Sequence, residues 1–199
     1  MTIQAFKKRF DPIFAQLVET RIQEYADRCP DPFFAAAVKH LHALSVSGGK
    51  RIRPYIACAA YELAGGRLTQ SVMQLFAALE FFHLFALIHD DIIDHGLERH
   101  GVPTLHRFIE DKLTKEKRIG DIKHVAAGQA MLLGDFFHAC ANHLVMQERP
   151  FDRRCLERVK VNFDAMVQEV MLGEMVDVDV ATRRHVTSAL IERKKKKKT

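Results

Sequence analysis

The segment covering residues 72–88 constrains this chain more than any other. It is apolar almost all round, holds neither glycine nor proline, and is interrupted only by Gln74, Glu80 and His83 before it runs into three aspartates. A helix that is apolar on every side must be covered by other elements or by lipid. A membrane span needs about 20 predominantly apolar residues. This stretch is broken by an acid and a histidine and ends in charge, so the expectation is a buried central helix and no transmembrane segment. It begins at Thr69 or Ser71 and meets no helix breaker until Gly96.

The rest of the chain supplies the covering helices, and no run alternates like a strand. Asp11-Pro12 reads as the opening of a first helix that extends to Arg28, with Ile13, Leu17 and Ile22 or Tyr25 facing a core. Cys29-Pro30-Asp31-Pro32 breaks it, and Asp31 is a good N-cap for a proline at the first helical position. A second helix is expected over 33–44, before Gly48-Gly49, and a third over 53–64, stopping at Gly65-Gly66. After the central helix comes a loop through Gly101-Val102-Pro103 and a polar segment around 112–123. Long helices follow over 124–146 and 151–175, and a last candidate helix starts at Arg183. There are no internal repeats. The fold class expected is all-α, a large antiparallel helical bundle.

The central helix ends in His89-Asp90-Asp91-Ile92-Ile93-Asp94. Asp90 and Asp94 are one turn apart on a shared face, and Asp91 lies a quarter-turn round. Three carboxylates repel one another and sit at the negative end of the helix dipole, a penalty of a few tenths to about 1 kcal/mol each. A cation would offset it, and Mg²⁺ suits, because it takes one or two carboxylates together with waters and phosphate oxygens. A solvated acidic helix end is the plainer alternative. His83, two turns before Asp90, falls on nearly the same face; a lone core histidine is the bland reading, and a ligand-facing group the one that the stripe favours.

Gly48-Gly49-Lys50-Arg51-Ile52-Arg53-Pro54 places three cations at the start of a helix, where the dipole is already positive. The arrangement makes sense if an anion docks on the cations and the free N–H groups together. A glycine turn followed by solvated charges is the alternative. Beyond the aspartates, Arg99 and His100 in Glu98-Arg99-His100-Gly101-Val102-Pro103-Thr104 are candidates to reach phosphates from the loop; simple exposure is the plainer reading of a loop arginine.

Composition removes other classes. The formal charge of +5 is carried by the five lysines at 194–198, so the body is neutral and no nucleic-acid partner is implied. Four scattered cysteines, Cys29, Cys58, Cys140 and Cys155, form no C-x-x-C pair and read as reduced, mostly buried thiols of a cytoplasmic protein. Residues 1–10 have no continuous apolar run, hence no signal peptide is expected.

Taken together, the glycine-rich basic segment 48–54, the stretch from His83 to Asp94 and the loop 99–104 resemble the trans-type polyprenyl diphosphate synthase family. Gly134-Asp135 and Gly173-Glu174-Met175-Val176-Asp177 are weaker landmarks. The resemblance covers nearly the whole chain and implies a bundle of the isoprenoid synthase type whose C-terminal helices are missing, with a partial synthase domain over 1–193 and a lysine tail over 194–199. It implies that an allylic diphosphate, bridged by Mg²⁺ to Asp90, Asp91 and Asp94, ionises and is attacked by isopentenyl diphosphate held by Lys50, Arg53, His83 and the residue at 100. Arg99, matching the first arginine of the family's R-R-G, would contact the allylic diphosphate. Phe85, five residues before Asp90, would floor the pocket for the growing chain and set a short product, geranylgeranyl or farnesyl; ordinary core packing is the plainer reading of its side chain. A homodimer, or pairing with a prenyl-synthase partner subunit, is also implied.

This sequence departs from the family pattern at His100, where a second arginine is usual, and at Glu174, in place of glutamine. It contains no second aspartate-rich motif. Lys198-Thr199 aligns with the family's diphosphate-binding Lys-Thr or belongs to the lysine tail, the reading preferred here. Two other functions are compatible with parts of the pattern. One is a non-catalytic partner subunit or remnant of a prenyl synthase. The other is an HD-type metal phosphohydrolase using His89-Asp90 with His40 or His42, which leaves the basic segment unexplained.

Overall fold

A computed structural model describes residues 1–28, 30–99, 101–147 and 151–183. Among them are seven α-helices: α1 (Ile3–Arg28), α2 (Pro32–Val46), α3 (Ile52–Leu63), α4 (Gln70–Ile93), α5 (Leu105–Lys115), α6 (Ile122–Met146) and α7 (Arg153–Thr182). Two short strands, β1 (Glu98–Arg99) and β2 (Val102–Pro103), pair antiparallel, with Arg99 opposite Val102. The chain divides into two compact units, Met1–Leu144 and Val145–Thr199.

The first unit is organised by phenylalanines. Phe6, Phe10, Phe14 and Val18 recur every four residues on α1 and are fully buried. The rings of Phe6, Phe10 and Phe14 follow one another at 4.9 and 5.8 Å, and the line continues to Phe81 of α4 at 5.1 Å and Phe137 of α6 at 5.4 Å. Each buried phenylalanine contributes roughly 1.5–3 kcal/mol over leaving it in water. This stripe overrides the expected start at Asp11-Pro12: α1 begins at Ile3 and carries Pro12 in its interior. The proline removes one helical hydrogen bond, and the continuous apolar face holds the helix together across it.

The helix starts read at Asp31 and Thr69 are found where expected. Asp31 accepts hydrogen bonds from the N–H groups of Phe33 (2.8 Å) and Phe34 (3.3 Å), and Thr69 accepts from Val72. α4 packs against α1, α3 and α5, and it is the one helix among the described residues long and apolar enough to cross a membrane. Most of it is buried inside the protein. The segment read as a loop and polar stretch contains α5, whose Leu105, Ile109 and Leu113 are buried at four-residue spacing. Thr104 closes the preceding hairpin: its hydroxyl donates to the Gly96 carbonyl at 2.7 Å and its N–H to that of Leu97 at 3.0 Å. Cys58 and Cys140 are buried thiols, while Cys155 is exposed. Burial pushes the pKa of Cys58 up to about 11 and that of Cys140 up to about 12, which leaves both unreactive.

In the second unit α7 is capped by Asp152, whose carboxylate accepts from the Cys155 N–H at 3.1 Å. α7 runs to Thr182 instead of stopping near Met175 and carries Gly173 through Asp177 within it. The expected last helix and the lysine tail fall on residues 184–199, outside the described residues, apart from Arg183, which is extended.

Candidate active site

Three of the segments singled out in the sequence meet in the first unit. The glycine-rich segment, one face of α4 and Arg99 enclose a cleft of about 540 Å³, lined among others by Lys50, Arg53, His83, Leu87 and Arg99. Gly48 and Gly49 take φ of 141° and 140°, a region that only glycine enters without strain. Lys50 and Arg53 are exposed at the cleft. His83 is half-buried, and its pKa is pushed down to about 4, first by burial and then by Arg53, Arg99 and Arg51. The imidazole is therefore neutral at ordinary pH and offers a hydrogen bond, while the positive charge comes from its neighbours.

Arg51 behaves differently from the two cations beside it. Its side chain is 4% exposed, and its guanidinium donates to Asp11 Oδ1 (3.0 Å), Glu80 Oε1 (2.6 Å) and the Ser45 carbonyl (3.1 Å). It also lies over the Phe14 ring at 4.8 Å. Of the three cations read from the segment, one is thus spent inside the protein. Glu80, which looked like an interruption of an apolar helix, is its partner. The signal was present: an acid within an apolar segment has to be paired when buried.

The carboxylates lie at the end of α4. Asp94 is its C-cap and is exposed, and Asp90 and Asp91 are half-buried. The three do not converge as one ligand set, and among the described residues no group of three or more histidine, cysteine, aspartate or glutamate side chains is placed to hold a metal. Asp91 is turned to Arg99, which grips it through Nε (3.1 Å) and Nη2 (2.6 Å) and lies 4.0 Å from Asp90. In this arrangement Asp91 is paired to Arg99, while Asp90 and Asp94 lie on adjacent turns. The donor chemistry still fits Mg²⁺ shared with a phosphate, because one or two hard carboxylates suffice and Asp90 and Asp94 offer two from adjacent turns.

Behind the carboxylates α4 meets α6. A Cβ on Gly134 would come within 2.9 Å of the His89 ring, so the glycine permits the close approach. His89 Nε2 is 3.2 Å from Asp135 Oδ1, without hydrogen-bond alignment. Phe85 is buried, 5.0 Å from the His138 ring and 4.4 Å from that of His89. It does not line the cationic cleft. His100 lies outside the described residues. The phosphohydrolase reading is not favoured by His40, whose Nε2 is bonded to the Pro103 carbonyl at 2.8 Å and whose ring stacks on Phe108 at 4.0 Å; among the described residues no group of metal-ligating side chains includes it or His42.

Comparison with known proteins points in one direction. The sequence pattern of the polyprenyl synthetase family matches residues 35–199. The chain is 31% identical over 170 residues to the short chain isoprenyl diphosphate synthase of Methanocaldococcus jannaschii, covering 85% of this chain and 45% of that protein. It is 30% identical over 191 residues to the geranylfarnesyl diphosphate synthase of Aeropyrum pernix, covering 88% and 54%. The fold superimposes with a TM-score of 0.85 and 28% identity on geranylgeranyl pyrophosphate synthase from Corynebacterium glutamicum, solved with isoprenyl diphosphate and magnesium, covering all of this chain and 56% of that one. The chain thus spans about half the length of the curated relatives that it matches.

Proposed function

Because the chain belongs to the polyprenyl synthetase family, we propose that it serves a prenyltransferase that joins isopentenyl diphosphate to an allylic diphosphate with Mg²⁺. The observation that carries this reading is Arg99, which lines the cationic cleft and at the same time holds Asp91 of the carboxylate cluster. One guanidinium thereby joins a site for a free diphosphate to a site for a metal-bound one.

In this reading Lys50 and Arg53 take the diphosphate of isopentenyl diphosphate, with His83 donating a hydrogen bond as a neutral imidazole. Asp90, Asp91 and Asp94 would hold Mg²⁺ together with phosphate oxygens. Bound there, the ion would neutralise the charge that develops on the departing diphosphate. Arg99 orients that same group and shares its charge. As the allylic carbon–oxygen bond breaks, the diphosphate leaves with the electron pair. The double bond of isopentenyl diphosphate attacks the cation, and a proton is lost. Phe85, buried one turn and a little more below Asp90, limits the depth available to the product and favours a short chain. A homodimer and a cytoplasmic location belong to the same proposal.

Asp90→Asn tests the metal role. Calorimetric titration with an allylic diphosphate, with and without Mg²⁺, should show a Mg²⁺-dependent gain in affinity for the unmodified chain and its loss in the variant. Equal Mg²⁺ dependence in both would remove the aspartates from the mechanism.

A further inference from the structure

Arg51 stands between Lys50 and Arg53 in the segment that lines the cleft, and its own guanidinium, at the cleft wall, is engaged by protein groups. Its backbone is in the left-handed region (φ 51°, ψ 34°) at the N-cap of α3, with no side chain capping the helix. A bulky non-glycine residue seldom adopts that conformation and holds it only when the surroundings enforce it. Here they do. The guanidinium reaches Asp11 on α1, the Ser45 carbonyl in the last turn of α2, and Glu80 on α4. The Ser45 carbonyl is one of those that a helix C-terminus leaves without an internal partner. The preceding segment wraps closely around this group: a Cβ on Gly49 would meet Arg51 Nη1 at 3.2 Å, and Lys7 donates to the Gly49 carbonyl at 2.7 Å.

We propose that Arg51 and Glu80 are positioning residues whose buried ion pair fixes the loop so that Lys50 and Arg53 face a diphosphate together with His83. The inference rests on the reading of the cleft as a diphosphate site. Glu80 is three residues before His83 on α4, close to one turn, so the pair ties the loop to the helix that carries the third ligand group. Arg53 follows Arg51 by two residues and Lys50 precedes it by one, so the backbone turn at Arg51 sets both. The carboxylate also offsets much of the charge of the buried guanidinium, so that Lys50, Arg53 and Arg99 are the cleft cations not paired to Glu80. Lysine cannot replace Arg51, because a single ammonium group lacks the rigid fork that spans three acceptors.

Two variants and two measurements test this. Arg51→Lys keeps the charge and loses the fork. Arg51→Met combined with Glu80→Leu removes both charges, a replacement that buried ion pairs often tolerate without loss of stability. Circular dichroism identifies the variants that keep the helical content. Limited trypsin cleavage after Lys50, followed by mass spectrometry without ligand, reports the freedom of the loop. Calorimetry with isopentenyl diphosphate reports the cleft. A folded variant should be cut at Lys50 at least tenfold faster and bind isopentenyl diphosphate at least tenfold more weakly. A folded variant cut at the original rate overturns the proposal, and so does one that loses affinity with no change in cleavage, since Arg51 would then be a direct ligand. If the unmodified chain does not bind isopentenyl diphosphate, the cleft reading fails, and the cleavage rate alone decides whether the pair holds the loop.

Discussion

His83 is the residue whose surroundings reveal most about the cleft. Burial, Arg53, Arg99 and Arg51 all push its pKa down to about 4 from an ordinary 6.5, and Glu80 on the same helix is committed to Arg51. Above pH 6.5 the folded and unfolded chains both carry it neutral. Between 6.5 and 4 the unfolded chain gains a proton that the folded one refuses, so stability falls with pH through that window and levels off below it. His83→Asn removes this contribution. Urea midpoints at pH 7, 5.5 and 4 should fall less steeply for the variant than for the original chain. The same residue shows what the sequence could reveal. Its place on the face of Asp90 follows from helical periodicity, and the structure brings it to Lys50, Arg53 and Arg99. The fates of Arg51 and Asp91 were not legible. Arg51 finds its partners 40 and 29 residues away in sequence, and Asp91 is claimed by an arginine from the hairpin. Both are tertiary pairings that no local pattern encodes.

Among the elements, α1 and the α4–α6 contact carry sharp consequences. Pro12 is exposed in the interior of α1, where proline lacks the helical donor and crowds the preceding turn. Pro12→Ala should raise unfolding free energy by about 1–3 kcal/mol, less up to about 1 kcal/mol for the greater freedom of the unfolded chain; urea titration measures it. Gly134→Ala should act in the opposite sense. The added methyl meets His89 at 2.9 Å, so His89 or the helices must shift, at a cost of roughly 1–3 kcal/mol. Because His89 adjoins Asp90, the same variant should weaken Mg²⁺-dependent diphosphate binding, read by calorimetry beside the melt. These elements also separate what pattern reading finds from what it misses. α4 was legible because its apolar run holds neither glycine nor proline, and α2 because Asp31 caps it. α1 began earlier than its proline suggested because Phe6 and Phe10 continue the stripe that Phe14 and Val18 belong to. α5 was hidden by its lysines and acids, although Leu105, Ile109 and Leu113 already gave the four-residue spacing.

For the whole molecule, the decisive fact is that relatives of the same family are about twice as long as this chain. Ionising an allylic diphosphate needs its charge neutralised from more than one side, and these residues provide one carboxylate cluster. The 199-residue polypeptide should therefore bind diphosphates without steady turnover. Incubation with Mg²⁺, isopentenyl diphosphate and each allylic diphosphate checks this; formation of longer prenyl diphosphates at an ordinary enzymatic rate would contradict it. The coverage of α4 has a consequence of another kind. A helix with the length and apolarity of a membrane span is a hazard while a chain is being made, since an uncovered apolar surface invites aggregation. Synthesis proceeds from the N-terminus, and early segments fold first. Two of the helices that pack against α4, α1 and α3, precede it in the chain. When α4 leaves the ribosome, these two of the surfaces that receive it have already emerged.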